Sequence, residues 1–308
     1  MKPLRHILSL NDLEVSELQD VLRIAEEIKA DYKRGLRPKR LDGKVLGMIF
    51  EKMSLRTRVS FEAGMTHLGG GSMLLEEQHI GLGKRESVKD VSRVLSSMVD
   101  CIVFRAKHHE TVQEFASYST VPVVNALTDV SHPCQALADM LTIKEEFGSF
   151  DDVKIAWVGD SNNVAASLVE ACAMLGAKIV IASPKGYQFT NEQIEQMTAK
   201  RQPGFEIEFI EDPRVAVENA RVIYTDVWVS MGQESEEQKR LAIFKPYQVN
   251  SSLMALACPD AIFLHCLPAR RGLEVTDEVI DSKQSRVVEE ASNRMHAQKG
   301  LLVWLLED

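Results

Sequence analysis

The chain has 308 residues, of which 45% are hydrophobic and 26% are charged, with a formal net charge of -9 at pH 7. This composition excludes a wholly disordered or fibrous protein, and the length predicts two domains of roughly 150 residues each. The acidic balance argues against nucleic acid or an anionic membrane as the main partner, so any basic site must be local.

The first ten residues lack the apolar core and cleavage site of a signal peptide, and no apolar run approaches membrane-spanning length. The five cysteines are odd in number and show no Cys-x-x-Cys pair or zinc-like Cys/His spacing. We therefore expect a cytoplasmic protein with reduced thiols, no metal and no membrane partner.

Short β-rich runs alternate with amphipathic stretches, as in parallel sheets joined by crossover helices, and the predicted fold class is α/β. The first half predicts strand 45–50, helix 56–68, strand 72–75, helix 88–99, strand 101–105, helix 111–117 and strand 121–125. The helix that begins near Ser87 carries an apolar stripe at helical spacing, which we expect to pack on a sheet. That stripe comprises Val88, Val91, Val94, Leu95 and Met98.

A long helix is predicted from Pro133 to Phe147, with Gly148 as its cap, and forms the expected hinge between the domains. The second half predicts strand 153–158, helix 164–175 and strands 178–182, 206–210, 222–224 and 261–264. A closing helix is expected over 289–306.

A dense polar cluster, Ser54-Leu55-Arg56-Thr57-Arg58, opens a predicted helix directly after strand 45–50. Backbone N–H groups in a first helical turn are unsatisfied and lie at the positive end of the dipole, so they can hold phosphate oxygens. Ser54, Arg56 and Thr57 add side-chain donors. Seen alone, the segment fits a phosphate site and an ordinary serine cap followed by a solvated basic turn about equally well. It is not a Walker motif.

Residues 50–70, FEKMSLRTRVSFEAGMTHLGG, resemble the carbamoyl-phosphate signature of the aspartate/ornithine carbamoyltransferase family, whose usual core is Ser-x-Arg-Thr-Arg. His132-Pro133-Cys134-Gln135 matches the same family, and the resemblance extends over essentially the whole chain. It implies two doubly wound domains, each with a central mostly parallel sheet flanked by helices, linked by two long helices. The expected domains are 1–143, completed by the C-terminal helix 289–308, for carbamoyl phosphate, and 144–288 for ornithine.

The resemblance implies a carbamoyl-phosphate site in which Arg105 and a neutral His132 donate to the carbonyl oxygen as negative charge develops. The full set is Ser54, Leu55 through its backbone, Arg56, Thr57, Arg105, His132, Gln135, Cys266, Leu267 and Arg294. The residues expected to be catalytic are Arg56, Arg105, His132 and Cys266. Without the surrounding motifs, the better interpretation of His132 and Gln135 would be a capping histidine and a surface glutamine.

Asp226-Val227-Trp228-Val229-Ser230-Met231-Gly232 resembles the segment with which ornithine enzymes of the family bind the α-amino and α-carboxylate groups. The implied ornithine ligands are Asn163, Asp226, Ser230 and Met231. His265-Cys266-Leu267-Pro268 resembles their loop for the side-chain amine, where aspartate enzymes typically carry Pro-Leu-Pro. The alternatives are a small buried hydrophobe for Cys266 and a capping carboxylate for Asp226.

Gly159-Asp160-Ser161-Asn162-Asn163 follows a predicted strand, as a dinucleotide-binding turn does, but lacks that motif's second and third glycines. We therefore reject NAD binding. By the resemblance, Asn163 instead touches the backbone groups of ornithine.

Three positions depart from the family pattern: Leu55 replaces a usual Thr, Gly81 replaces a Gln or His that reaches the neighbouring subunit's site, and Arg270 replaces a His. Gln78, His79 or Lys84 are the candidates to substitute at the interface.

The resemblance implies a homotrimer, or a multiple of trimers, that uses carbamoyl phosphate and L-ornithine to form L-citrulline and phosphate without a cofactor. Alternatives are a relative that uses putrescine, an acylated ornithine or aspartate, and a non-catalytic amino-acid-binding homologue.

Overall fold

The structure is a computed structural model that describes residues 4–76, 80–229 and 234–307. The chain divides into two compact units. Unit 1 comprises Met1–Leu141 and Ser292–Asp308, and unit 2 comprises Thr142–Ala291. Among the described residues, no helix has the length and apolar content needed to cross a bilayer.

Unit 1 contains a four-stranded parallel sheet with the order β2-β1-β3-β4. The strands are β1 (Val45–Phe50), β2 (Gly71–Glu76), β3 (Cys101–Arg105) and β4 (Val123–Leu127). The helices described between these strands and before them are α1 (Val15–Lys33), α2 (Leu55–His67), α3 (Val88–Ser96) and α4 (His109–Tyr118). The central strand β3 is buried along its whole length, as its nearly continuous apolar sequence requires of a sheet covered on both faces.

Unit 2 contains a five-stranded parallel sheet with the order β7-β6-β5-β8-β9. The strands are β5 (Lys154–Val158), β6 (Lys178–Ala182), β7 (Glu206–Ile210), β8 (Val222–Tyr224) and β9 (Ile262–Leu264). Its helices are α6 (Asn163–Leu175), α7 (Asn191–Met197), α8 (Pro213–Val217), α9 (Glu237–Phe244), α10 (Ser251–Met254) and α11 (Asp277–Ile280).

Two long helices contain the boundaries between the units: α5 (Pro133–Phe147) and α12 (Val287–Leu306). Gly148 ends α5 with a φ of 81°, a left-handed conformation that glycine adopts without strain. The predicted class, two α/β units with parallel sheets flanked by helices, is confirmed.

The predicted stripe on α3 is only partly correct. Val91 and Leu95 are buried and Val88 packs against the same core, but Val94 is 53% exposed and Met98 is 69% exposed. The helix ends at Ser96, so Met98 no longer follows its periodicity, and Val94 lies at the margin of the buried face. Unit 1 therefore exposes two apolar side chains that the sequence pattern assigned to the core.

Candidate functional site

The first turn of α2 is organised by Ser54. This residue is the N-cap, in an extended conformation, and its Oγ accepts a hydrogen bond from the backbone N–H of Thr57 at 3.3 Å and donates to Thr57 Oγ1 at 3.0 Å. The side chain of Leu55 is 75% exposed, which leaves its backbone N–H as its contribution to a site here. The helix start thus presents donors at the positive end of its dipole, as an anion requires.

The last helix brings a guanidinium to this turn. Arg294 of α12 donates from Nη2 to Thr57 Oγ1 at 2.6 Å, and both side chains are buried. The contact joins positions 237 residues apart, so local sequence could not predict it.

His132 lies at the start of α5 and is almost fully buried. Burial holds its pKa well below the usual value, and the positive charges of Arg294, Arg105 and Arg56 lower that pKa further. The imidazole is therefore neutral at neutral pH and can donate a hydrogen bond through one N–H without carrying charge. Three guanidiniums acting on one neutral histidine form an anion-attracting centre in unit 1.

Strand order explains why Arg105 belongs to this group. It ends β3, pairs in register with Phe50 at the end of β1, and its carbonyl oxygen accepts a hydrogen bond from the N–H of Glu51. Because the carboxyl ends of neighbouring parallel strands share one sheet edge, Arg105 lies beside the connection that leads into α2. Its side chain is buried, so it is not the surface charge that a strand end alone would suggest.

Gln135 is completely buried, in contrast to the alternative of a surface glutamine. Its Nε2 donates to Asp139 Oδ1 at 2.8 Å, one turn further along α5. Sequence reasoning did not single out Asp139, although its i+4 spacing from Gln135 is compatible with such a bond.

In unit 2, Asp226 follows β8 and receives two hydrogen bonds. Asn162 Nδ2 donates to its Oδ2 at 2.7 Å, and Cys266 Sγ donates to its Oδ1 at 3.1 Å. Asp226 is buried and Cys266 is half-buried. The carboxylate and the thiol that the motifs predict for the amino-acid substrate therefore lie together.

Asn162 is a site residue that the sequence analysis missed. Its Oδ1 accepts hydrogen bonds from the N–H groups of Val164 and Ala165, so it caps α6 while its amide group holds Asp226. An asparagine directly before an apolar helix is a capping signal that the sequence displays. Asn163, the predicted ligand, is the first residue of α6 and is half-buried.

His265 fixes the backbone around Cys266. Its Nδ1 accepts from the N–H of Leu267 at 2.9 Å, so its Nε2 carries the proton that faces Glu274 Oε1 at 3.2 Å. The backbone N–H of His265 donates to Glu290 Oε2 at 2.9 Å. These bonds hold Leu267 at a φ of 56°, which is rare for a residue with a side chain.

Potential ligand atoms of Asp226, His265 and Cys266 lie within 4.8 Å of one another. Both ring nitrogens of His265 are already engaged, so a cation there would have to displace one of the bonds that hold the loop.

Several positions singled out in the sequence are not described. Ser230, Met231, Gln78 and His79 lie outside the described residues. Arg270 forms an exposed ion pair with Glu237 at 2.7 Å.

Gly81 sits in a tight turn. Its φ is 66°, and its carbonyl oxygen accepts from the N–H groups of Lys84, Arg85 and Glu86. A Cβ at Gly81 would lie 2.7 Å from the Cβ of Arg85, so glycine is required by this turn.

Comparison with known proteins defines the class. Residues 5–145 match the family model described as aspartate/ornithine carbamoyltransferase, carbamoyl-P binding domain, and residues 151–305 match the Asp/Orn binding domain of the same family. The chain belongs to the aspartate/ornithine carbamoyltransferase family.

Similar proteins within the family include enzymes named ornithine carbamoyltransferase. The chain is 48% identical over 303 residues to an ornithine carbamoyltransferase of Archaeoglobus fulgidus, with 98% of each protein covered. It is 50% identical over 303 residues to that of Bacillus subtilis, covering 98% of this chain and 94% of the relative. The solved ornithine carbamoyltransferase of Pyrococcus furiosus is 48% identical, with a TM-score of 0.94 over 98% of this chain and 97% of that one.

Proposed function

We propose that this protein is an ornithine carbamoyltransferase, which transfers the carbamoyl group of carbamoyl phosphate to the side-chain amine of L-ornithine. The observation that carries the proposal is a neutral His132 whose pKa is lowered by the positive charges of Arg56, Arg105 and Arg294. Arg294 also donates a hydrogen bond to Thr57 in the first turn of α2. This is the donor set that a phosphate attached to a polarised carbonyl requires.

We assign carbamoyl phosphate to residues 1–143 with the helix 289–308. The first turn of α2 and its side chains bind the phosphate, while Arg105, His132 and Gln135 bind the carbamoyl group. A neutral donor suits the carbonyl oxygen, because its hydrogen bond strengthens only when negative charge develops there in the transition state.

We assign ornithine to residues 144–288. Asp226 would accept the α-ammonium group, with Asn163, Ser230 and Met231 completing the recognition of the head group, and Cys266 and Leu267 would meet the reacting amine. The Asp226 carboxylate supports ornithine over aspartate, because a second carboxylate on the substrate would be repelled there. The relatives at 48–50% identity are named ornithine carbamoyltransferases, which supports the same choice.

The reaction balances without a cofactor. The lone pair of the neutral amine attacks the carbonyl carbon, the C–N bond forms, and the carbonyl oxygen becomes an oxyanion held by His132 and Arg105. Collapse of this intermediate breaks the bond to the phosphate oxygen. The amine loses one proton, and the released phosphate is a base that can accept it.

We further propose a homotrimer, or a multiple of trimers, located in the cytoplasm. The family resemblance suggests this assembly, and unit 1 exposes apolar side chains that a subunit interface could cover. These are Met53, Leu55, Val59, Met73, Val94 and Met98.

The experiment is an amine screen with carbamoyl phosphate and the purified full chain. Ornithine should be carbamoylated at least about a hundredfold faster than putrescine, because the buried Asp226 would be unpaired with an amine that lacks the α-amino-acid head. It should also react faster than aspartate, which has no side-chain amine to present to Cys266 and Leu267. Equal rates with putrescine would reject ornithine as the substrate, and the absence of any carbamoylated product would favour a non-catalytic homologue.

A further inference from the structure

Four basic side chains surround the ring of Tyr32, at the end of α1. The guanidinium carbon of Arg37 lies 3.7 Å from the ring centre and Lys299 Nζ lies 5.2 Å from it. The ring centres of His67 and His296 lie 5.4 and 5.1 Å from that of Tyr32. We call Arg37, His67, His296 and Lys299 the basic cluster.

Lys299 is the unusual member of the basic cluster, because its side chain is only 1% exposed. Within residues 4–76, 80–229 and 234–307 its ammonium makes no ion pair or hydrogen bond, and it faces the ring of Tyr32. The buried Nδ1 atoms of His67 and His296 likewise have no hydrogen-bond partner in that part of the chain. A buried cation without a counter-charge is costly, so this arrangement needs a compensating anion or a neutral lysine.

The electrostatics of the basic cluster are uniformly positive. Burial lowers the pKa of Lys299 to about 8, and the charge of Arg37 acts in the same direction. The pKa of His67 is lowered by burial, Lys299 and Arg37, and that of His296 is lowered to about 3 by burial and by surrounding lysines. Among the described residues no carboxylate raises any of these three pKa values, so both histidines are neutral donors at neutral pH.

Helix dipoles compensate only part of this charge. The C-terminal ends of α1 and α2 meet the cluster at Tyr32 and His67, and each helix end carries about -0.5 charge. Against the full charges of Arg37 and a protonated Lys299, the two ends leave about one positive charge unbalanced.

A crevice opens at this place. Arg37, Arg40, His67 and Lys299 line it together with apolar side chains, and Arg37 lies on its exposed side. Arg40 is already held by Glu307, so Arg37 and Lys299 are the cations that a ligand would meet. Its volume is about 10 Å³ and it opens to solvent beside Arg37, so it suits at most a ligand of few atoms and excludes a nucleotide.

We propose that this crevice binds a small inorganic oxyanion of the phosphate or sulfate type between Lys299, Arg37 and His67. It is separate from the anion site at the first turn of α2, because His67 ends the 13-residue helix that Leu55 begins, about 18 Å away at 1.5 Å per residue. The proposal does not rest on the catalytic function.

The test uses sulfate, whose charge is constant over the neutral range, and calorimetric titration of the full-length Arg56→Ala protein, in which the first anion site is weakened. This parent should retain one sulfate site. Lys299→Met and, independently, Arg37→Gln should each weaken that site, Lys299→Met by at least about tenfold. The matched control is Lys33→Met, which removes the same charge from an exposed position next to Tyr32 and should change affinity less than about threefold.

A pH series separates an anion site from a purely structural lysine. Sulfate affinity in the parent should fall as the pH rises from about 7 to 9, because the anion favours protonated Lys299. Lys299→Arg should keep the site and lose this pH dependence, since arginine stays charged.

Unchanged sulfate binding in both Lys299→Met and Arg37→Gln would overturn the proposal, and so would equal loss in the Lys33→Met control. Arg37 is exposed, so Arg37→Gln remains informative if Lys299→Met fails to fold.

Discussion

The buried His132 illustrates how neighbours set the chemistry of one side chain. With its pKa held well below the usual value by burial and three guanidiniums, it stays neutral from mildly acidic pH upward. The amine of ornithine, with a lysine-like pKa of about 10.4, is mostly protonated at neutral pH, and only its neutral form attacks. The pH dependence of the reaction should therefore come from the substrate and not from His132.

We accordingly expect kcat/KM for ornithine to rise with pH by about tenfold per unit between about pH 6 and 8, without an inflection from His132. A pH profile of the wild-type chain and of His132→Gln checks this. The variant should lose kcat at every pH and retain the same profile shape. An inflection near pH 6.5 in the wild type that disappears in His132→Gln would contradict the neutral role.

Asp226 gives a second prediction at this scale. Asp226→Ala should raise the KM for ornithine by about a hundredfold or more, because a charge-assisted hydrogen bond to the α-ammonium group contributes about 3 kcal/mol. Inhibition by phosphate should be nearly unchanged, since the residues to which we assign phosphate binding, Ser54 to Thr57, are in unit 1. Asp151→Ala, which removes an exposed carboxylate elsewhere in unit 2, is the control and should leave both constants unaffected. Equal loss of phosphate inhibition in Asp226→Ala would show a general disturbance.

The places of the motif residues at strand ends and helix starts were predictable from the sequence, as with Ser54, Arg105 and Asp226. Their roles stay predictions. The contacts among these residues were not predictable, since the bonds of Arg294 to Thr57 and of Asn162 to Asp226 join distant parts of the chain. Spacing along a sequence identifies a polar cluster, but only tertiary packing selects its partners.

At the scale of elements, the N-terminus of α2 is capped by Ser54, to which we also assign phosphate binding. Ser54→Ala should destabilise unit 1 by about 1 kcal/mol through the lost cap and should also weaken carbamoyl phosphate, because Ser54 is assigned to the phosphate. Ser87→Ala is a matched control, since Ser87 caps α3 through the N–H of Asp90 at 3.1 Å. Urea unfolding should show similar destabilisation in both variants, and KM for carbamoyl phosphate should rise only in Ser54→Ala. A rise in both would mean that Ser54 acts through stability alone.

The buried strands were the best predicted elements, since a parallel strand covered on both faces is a short apolar run, as in Val45–Phe50 and Cys101–Arg105. Helix α1 is absent from the predicted elements although Leu18, Val21 and Leu22 follow helical spacing, so this miss is not a limit of the sequence. The short helices α8, α10 and α11 have too few turns to show a period.

At the scale of the whole molecule, the proposed trimer requires a segment of one subunit to complete the neighbour's site. Lys84 is exposed on the turn organised by Gly81, and we expect Lys84→Ala to impair carbamoyl phosphate binding. Mixing inactive Arg56→Ala subunits with inactive Lys84→Ala subunits should restore about a quarter of the sites, because a random hybrid site receives both intact parts in one case in four.

Activity after dissociation and reassembly of equal amounts of the two variants measures this recovery. The control is each variant dissociated and reassembled alone, which should remain inactive. No recovery despite demonstrated subunit exchange would mean that Lys84 serves only its own chain.

Unit 1 is built from two segments that lie far apart in the chain, and this affects how the protein folds during synthesis. Its first 141 residues leave the ribosome long before 292–308, yet the closing helix supplies the buried Leu301, Leu302 and Val303 and the Arg294 that bonds Thr57. During synthesis the apolar surface of the N-terminal sheet that packs against the closing helix therefore stays uncovered until that helix is made. Nascent chains in such a state are prone to aggregate. Unit 2, continuous in sequence, can fold first, and the first-made unit is the last to be completed.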